Sequence, residues 1–485
     1  MSVATAEPTI RAVAAASSHA ASELRALGRG GRARALRAVA AALRGDHDLV
    51  AIASAETHLD EVRLRGEIER TASQAELFAD VIVEGSYLDA AVDHASANGP
   101  ELRRLRVPVG PVVVFAAGNF PFAFGVFGGD TVSALAAGCP VIVKAHPDLP
   151  MTSMATFGLV RETLAGHAIP PDALQIVTEA DAGRALVEAP SVAAVGFTGS
   201  AAGGRALFDF AAARPVPIPV FAEMSSTNPT IIAPEAARTD VAGLAQQLVS
   251  AVTSSAGQLC TKPGLIFLPR DASALIEAIS ELLAVAEPRR LLSSNITERY
   301  LHRLAELRAG GAEERTPGSV SPSGVAPTLV AVPIEQLSGT LTEETFGPAT
   351  VLVTYAAFDD LAGALSSLGG QLTTTVHAVD GDFEMIEGLV DVAAATSGRV
   401  VVNGVPTGVR VAWSTTHGGP YPASTSPSST SVGASAIDRW TRPVTWQSTP
   451  DRFLPDELRE DPREPVPTRV DGVLLVGASS ARESS

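Results

Sequence analysis

Val112-Val113-Val114-Phe115, the turn-prone Gly118-Asn119-Phe120-Pro121, the small-residue stretch Asp130–Ala137 and Val141-Ile142-Val143-Lys144 together decide the fold. Two short β-branched runs enclose a glycine-rich turn and a helix-forming segment. A buried strand, a crossover helix and a second buried strand make a βαβ unit, and hence a parallel sheet. The unit repeats downstream. A helix is expected near Ser153–Ala165, with strands at Leu174–Val177 and Ala193–Phe197. A second series follows residue 225, with strands at Thr230–Ala233, Leu265–Leu268, Val351–Tyr355, Thr374–Val379 and Val400–Asn403 and helices over 239–253 and 272–285.

Upstream, residues 20–85 read as helices. Leu36, Val39 and Leu43 share one face between arginines, and Gly85 stops the last helix. Ala95–Pro100 reads as a turn, and Arg315–Pro327 and Thr415–Ser431 as loops. Beyond Pro450 the charged, proline-rich composition suggests a mostly mobile tail. The expected class is α/β, in two blocks joined near residue 224.

The balance of 53 acidic to 36 basic side chains gives a formal charge of −17. A field of that sign repels phosphate polymers and anionic lipid, so neither nucleic acid nor membrane is expected as a partner. No stretch approaches the length of a spanning helix, and no signal peptide opens the chain, so a soluble cytoplasmic protein is expected. Two cysteines, Cys139 and Cys260, are too few for a disulfide framework. The nine histidines are scattered, and no metal site is expected.

The chemistry is open residue by residue. Cys260 lies in Ser254-Ser255-Ala256-Gly257-Gln258-Leu259-Cys260-Thr261-Lys262-Pro263-Gly264, a small-residue loop where a reactive and an inert thiol fit equally well. Cys139, between Gly138 and Pro140 before a buried strand, reads as a small apolar residue. Glu223 ends the apolar run Val220–Ala222, as either a solvated carboxylate or a functional one. Asn119 could be a turn residue or an amide aimed at an oxyanion. Gly196-Phe197-Thr198-Gly199-Ser200 is a strand end opening a helix, suited to a diphosphate but weak as a lone signal.

Taken in order, these stretches resemble the aldehyde dehydrogenase superfamily over about residues 20–450. The matching signatures are Gly118-Asn119-Phe120-Pro121, Val143-Lys144, Phe197-Thr198-Gly199-Ser200, Glu223-Met224, Gly257-Gln258-Leu259-Cys260-Thr261 and Glu343-Glu344-Thr345-Phe346-Gly347-Pro348. The resemblance implies a Rossmann-like cofactor domain (1–87 with 105–224), an α/β catalytic domain (225–412) and a small oligomerisation element (88–104 with 413–450), ahead of the tail at 451–485. It makes Cys260 the nucleophile that forms a thioester, Glu223 the general base that hydrolyses it, and Asn119 an oxyanion donor. Lys144, Thr198, Gly199, Ser200, Glu344 and Phe346 become cofactor contacts. The implied cofactor is NAD or NADP, with a slight lean to NADP, and the implied assembly a homodimer or homotetramer.

Glu223-Met224-Ser225-Ser226, Lys144-Ala145-His146-Pro147, Asn403-Gly404-Val405-Pro406-Thr407-Gly408-Val409 and His417-Gly418-Gly419-Pro420-Tyr421-Pro422-Ala423-Ser424-Thr425 resemble a narrower group. It is the bacterial branch holding 2-oxoglutarate semialdehyde (2,5-dioxopentanoate) dehydrogenases, with NADP-dependent fatty aldehyde dehydrogenases nearby. Departures from the pattern are His58, where relatives have glycine, and Thr416, where a second histidine is frequent. An anionic aldehyde entering a chain of charge −17 needs a local cation, for which Arg410 is the candidate. Arg184 is a candidate for a 2′-phosphate. The alternatives are a broad or fatty aldehyde dehydrogenase, a cysteine acyltransferase or esterase, and a non-catalytic relative.

Overall fold

The computed structural model describes residues 7–476. Four helices open the chain: α1 (Glu7–Ala26), α2 (Gly28–Gly45), α3 (Asp48–Thr57) and α4 (Glu61–Glu84). Leu36, Val39 and Leu43 of α2 are buried, as their spacing predicts. Asp60 caps α4 by accepting from the Arg63 N–H at 2.8 Å, and Gly85 ends it with φ +86°. His58 ends α3 with φ +59°, a left-handed position that glycine adopts without strain.

Strands β1 (Ala90–Asp93) and β2 (Leu102–Pro108) follow, then β3 (Val112–Phe115), β4 (Val141–Lys144), β5 (Leu174–Val177), β6 (Ala194–Thr198) and β7 (Val220–Glu223). The last five form a parallel sheet in the order β5-β4-β3-β6-β7. That order reverses direction between β3 and β6. Ligands of open α/β sheets bind in the crevice outside the carboxyl ends of the strands at such a point. Asn119, Lys144, Thr198–Ser200 and Glu223 all lie at or just past those ends.

The change of sheet falls between Glu223 and Thr230. The second sheet holds β8 (Thr230–Ile232), β9 (Leu265–Pro269), β10 (Glu313–Thr316), β13 (Thr328–Pro333), β14 (Ala349–Tyr355), β15 (Gln371–His377) and β16 (Ser397–Val402), with β11 (Val320–Ser321) and β12 (Gly324–Val325) a separate small hairpin inside the expected 315–327 loop. Its order is β10-β13-β14-β9-β8-β15-β16, parallel throughout except for the β10–β13 pair. The helices Ser294–Ala309, Asp360–Ser367 and Phe383–Thr396 and the strand β13 are additions to the sequence reading.

A third sheet corrects the expectation of a mobile tail. Strand β17 (Thr441–Gln447) pairs with β2, while β18 (Thr468–Val470) and β19 (Val473–Leu475) extend β1. Glu464 accepts from the backbone N–H groups of Arg29 and Gly30 at 3.1 Å each, and the buried Arg29 guanidinium also meets Glu457 at 3.3 Å. Leu454 and Leu458 are buried in the first core. The charges that made this stretch look solvated are the groups that tie it down. Residues 477–485 lie outside the described residues.

The segment carrying His417 is anchored from behind. Trp440 is fully buried and donates its indole N–H to Ser133 at 2.8 Å, and Arg439 pairs with the buried Asp130 at 2.6 Å. Among the described residues no helix is long and apolar enough to cross a membrane.

Candidate active site

The cysteine loop is shaped by backbone before side chains matter. Ser255, Ala256 and Gly257 are consecutive left-handed residues (φ +51°, +54° and +68°). A Cβ on Gly257 would lie 2.2 Å from the Gly347 carbonyl oxygen, so only glycine permits this approach. The Gly257–Cys260 and Glu344–Pro348 motifs therefore occur together because their backbones touch. Asn228 holds the other side, donating its amide to the carbonyls of Cys260 (2.8 Å) and Lys262 (3.0 Å).

The thiol opens onto a cavity of about 890 Å3. Asn119, Lys144, Thr198, Gly199, Ser200, Glu223, Cys260, Glu344 and Phe346 all line it. A volume near the upper end of ordinary ligand sites suits a dinucleotide. Ser200 caps the helix Ala201–Ala212 by accepting from the Gly203 N–H at 3.2 Å, so the helix's positive end faces the cavity. These residues fit a nicotinamide dinucleotide. A second cavity of about 900 Å3, beside Tyr87, Trp413 and Arg442, contains neither cysteine nor Glu223.

Three reactive groups converge beside the cavity, Cys260 and Glu223 in its lining and His417 buried next to them. The Cys260 Sγ lies 3.5 Å from His417 Nε2, and the same nitrogen lies 3.0 Å from Glu223 Oε1. The Glu, Cys and His donor atoms are all within 4.8 Å of one another. Ser431 donates to Glu223 Oε2 at 2.8 Å, and Thr430 accepts from the His417 backbone N–H at 2.8 Å. Burial pushes the Glu223 carboxyl up, but the facing His417 imidazole and the hydrogen bond from Ser431 bring it below its ordinary value. Burial and the Glu223 charge push the Cys260 thiol well above its ordinary value. In the unliganded protein the nucleophile is therefore a protonated thiol beside a charged base. Burial raises Glu344, which Ser225 and Lys262 pull back, and burial lowers Lys262.

Under native conditions iodoacetamide is expected to label one thiol per chain, Cys260. The rate should climb about tenfold per pH unit from pH 7 to 9, as the small thiolate fraction grows towards a raised pKa. Cys139 is fully buried, its thiol pushed up to about 11, and should stay unlabelled. A rate already flat above pH 7 would show a thiolate present at rest.

Not every sequence candidate arrives. Arg410 is exposed, and it is not among the residues lining the Cys260 cavity. Arg184 pairs with Glu188 at 2.8 Å, stacks over Phe210 and lines a different, smaller cavity. Asn119 lines the cavity, and its amide donates to the Gln258 carbonyl at 3.0 Å, which fixes it beside the cysteine loop. The residue missed as part of the site is His417. Its signals were its place beside a Gly/Pro turn and at the head of the His417–Thr425 motif, and neither linked it to the cysteine it faces 157 positions away. Ser431 and Asn228 carried no signal of their own.

A thiol, its proton acceptors and a dinucleotide-sized cavity at a sheet switch point define a thiol-dependent oxidoreductase. The aldehyde dehydrogenase family model matches residues 1–419, and the chain belongs to that family. It is an NAD(P)-dependent aldehyde dehydrogenase. It is 41% identical over 444 residues to alpha-ketoglutaric semialdehyde dehydrogenase 2 of Azospirillum brasilense, covering 87% of this chain and 83% of that one. It is 37% identical over 441 residues to the alpha-ketoglutaric semialdehyde dehydrogenase of Acinetobacter baylyi, with the same coverage. Among solved structures, glyceraldehyde-3-phosphate dehydrogenase from Methanocaldococcus jannaschii, complexed with NADP, superposes with TM-score 0.78 at 17% identity. That match covers 92% of this chain and 95% of the other, and at such identity the likeness is one of fold.

Proposed function

We propose that the chain oxidises 2-oxoglutarate semialdehyde (2,5-dioxopentanoate) to 2-oxoglutarate through a thioester on Cys260. The observation that carries the mechanism is the convergence of Cys260, His417 and Glu223 within 4.8 Å at the cofactor-sized cavity. His417 Nε2 is the acceptor placed to take the thiol proton, with Glu223 Oε1 beside the same nitrogen to stabilise the N–H formed there. The thiolate adds to the aldehyde carbon. The oxyanion formed would be held by the Asn119 amide and the Cys260 backbone N–H, a type of contact that can contribute about 3 kcal/mol. A nicotinamide cofactor bound in the cavity supplies the hydride acceptor for the oxidation, with Lys144, Thr198–Ser200, Glu344 and Phe346 as its contacts. Glu223 then takes a proton from the water that cleaves the thioester, and Cys260 leaves.

The substrate reading rests on the two relatives and on charge. The cation sought for the anionic end is assigned to Arg70 on α4 and Arg399 on β16, in place of Arg410. Burial pushes both guanidiniums below their ordinary value; Glu67 and then a thiolate at Cys260 act on Arg70 in the opposite sense, and such a thiolate does so on Arg399, whose Nη2 donates to the Pro406 carbonyl. Arg70 Nη1 and Arg399 Nε are buried without a hydrogen-bond partner among the described residues. Arg70 lies 5.5 Å over the ring of Phe124, five residues beyond Asn119. Neither arginine lines the cofactor cavity. Arg70→Ala and Arg399→Ala are each expected to raise KM for 2,5-dioxopentanoate at least about tenfold, the worth of one charge-assisted hydrogen bond. KM for an uncharged medium-chain aldehyde should change little. Equal losses on both substrates would remove this assignment.

Arg299, His302 and Arg303 join Lys144 along the cavity wall, which supports the lean to NADP. The proposed setting is a cytoplasmic homodimer or homotetramer, with 88–104 and 413–450 as the contact element.

A further inference from the structure

We propose that Cys260, His417 and Glu223 also form a binding site for a thiophilic divalent cation of the zinc class, which reversibly blocks the enzyme. Sulfur, imidazole nitrogen and carboxylate oxygen are the donor types zinc takes in proteins. With ordinary zinc–ligand bond lengths, a tetrahedral ion places sulfur and nitrogen about 3.6 Å apart, and nitrogen and oxygen about 3.4 Å apart. The corresponding separations here are 3.5 Å and 3.0 Å, so the imidazole–carboxylate gap needs to open by only a few tenths of an ångström.

The donors are held from behind. Ser431 orients the far oxygen of Glu223, Thr430 accepts from the His417 backbone N–H, and Asn228 fixes the Cys260 carbonyl. The Ser431 contact is of the kind that orients a metal ligand, while the contacts to His417 and Cys260 fix their backbones and His417 Nδ1 has no hydrogen-bond partner among the described residues. Cys260 and Glu223 both line the cofactor cavity, which leaves the fourth coordination position for water or a small ligand. Binding replaces the thiol proton by the metal: the S–H bond breaks, an S–metal bond forms and the proton leaves to solvent. No oxidant is required. The ion then occupies the lone pair that would attack the aldehyde, so it competes with the aldehyde and is removed by a chelator.

The site goes beyond the reaction proposed above and does not depend on which aldehyde is oxidised. Its test reads binding and not turnover. Cobalt(II) is titrated into the full-length, cofactor-free protein and followed by absorbance, then displaced with zinc. One equivalent should give a sulfur-to-cobalt charge-transfer band with tetrahedral d–d bands. Cys260→Ala should lose the charge-transfer band, and His417→Ala and His417→Gln should weaken binding at least about 100-fold, each with an unchanged circular dichroism spectrum. Three results would overturn the proposal: no charge-transfer band at one equivalent, a band that survives in Cys260→Ala, or unchanged affinity in both His417 variants. The last would mean that the metal is held by the thiolate without the imidazole.

Discussion

Cys260→Ala is expected to lower aldehyde oxidation by at least about 10,000-fold while leaving the affinity for NAD(P) within a factor of about two. The thiol is the atom to which the substrate bonds, and neither neighbour can replace it. His417 and Glu223 offer proton acceptors at 3.5 and 3.0 Å along one line of contacts, not a carbon nucleophile of comparable strength. The proposed cofactor contacts, such as Lys144, Ser200 and Glu344, are other residues of the cavity lining and should be unaffected when the sulfur is removed. The measurement is reduced-cofactor absorbance for turnover, with fluorescence quenching for cofactor binding. Turnover within tenfold of the parent protein would refute nucleophilic catalysis at this position.

The second large effect belongs to Glu223→Gln. Steady-state turnover should fall about 100- to 10,000-fold, the range for removing a general base. The first turnover should survive as a burst of one reduced cofactor per active chain, because acylation needs the thiol proton removed and His417 Nε2 still faces Sγ. Glutamine keeps the size of the side chain and can still accept from Ser431, so the loss would be one of basicity and not of packing. His417→Ala should show the opposite pattern, a slow first turnover without a burst. Stopped-flow absorbance separates the two. A burst in neither variant would mean that one group serves both halves of the reaction.

Much of this was legible because the chemistry sits at strand ends. Val112–Phe115, Val141–Lys144, Ala193–Phe197 and Val220–Ala222 announce themselves as short buried strands, and the residues that follow each run must emerge at one edge of a parallel sheet. Asn119, Ser200 and Glu223 could thus be seen at or just past strand ends, but only the family resemblance joined them with Lys144 in one site. Cys260 was legible as a position but not as a reactive group, since its loop is built from backbone conformations and from contact with Gly347. His417 was not legible as a partner of the thiol. It lies in an irregular segment whose path is fixed by Thr430, Ser431 and the buried Trp440, contacts with no local period.

The same reasoning explains the other departures. Arg410 follows the Asn403–Val409 motif in sequence but is exposed and outside the lining of the Cys260 cavity, whereas the proposed cations Arg70 and Arg399 are buried on α4 and β16. Composition made the residues after Pro450 look solvated. Glu457 and Glu464 are matched to Arg29 more than four hundred positions earlier, and strand pairing with β1 then orders the segment. Charge content alone does not distinguish a solvated tail from one whose charges have partners.

The central claim is that oxidation passes through a covalent acyl group on Cys260, and peptide mass spectrometry of Glu223→Gln tests it most directly. The variant would be mixed with 2,5-dioxopentanoate and oxidised cofactor, quenched in acid within the burst and digested. The account predicts one acyl group, of the mass of the oxidised substrate less water, on the peptide containing Cys260. It predicts none on the Cys139 peptide, and none when cofactor is omitted. A full burst with an unmodified Cys260 peptide would contradict it.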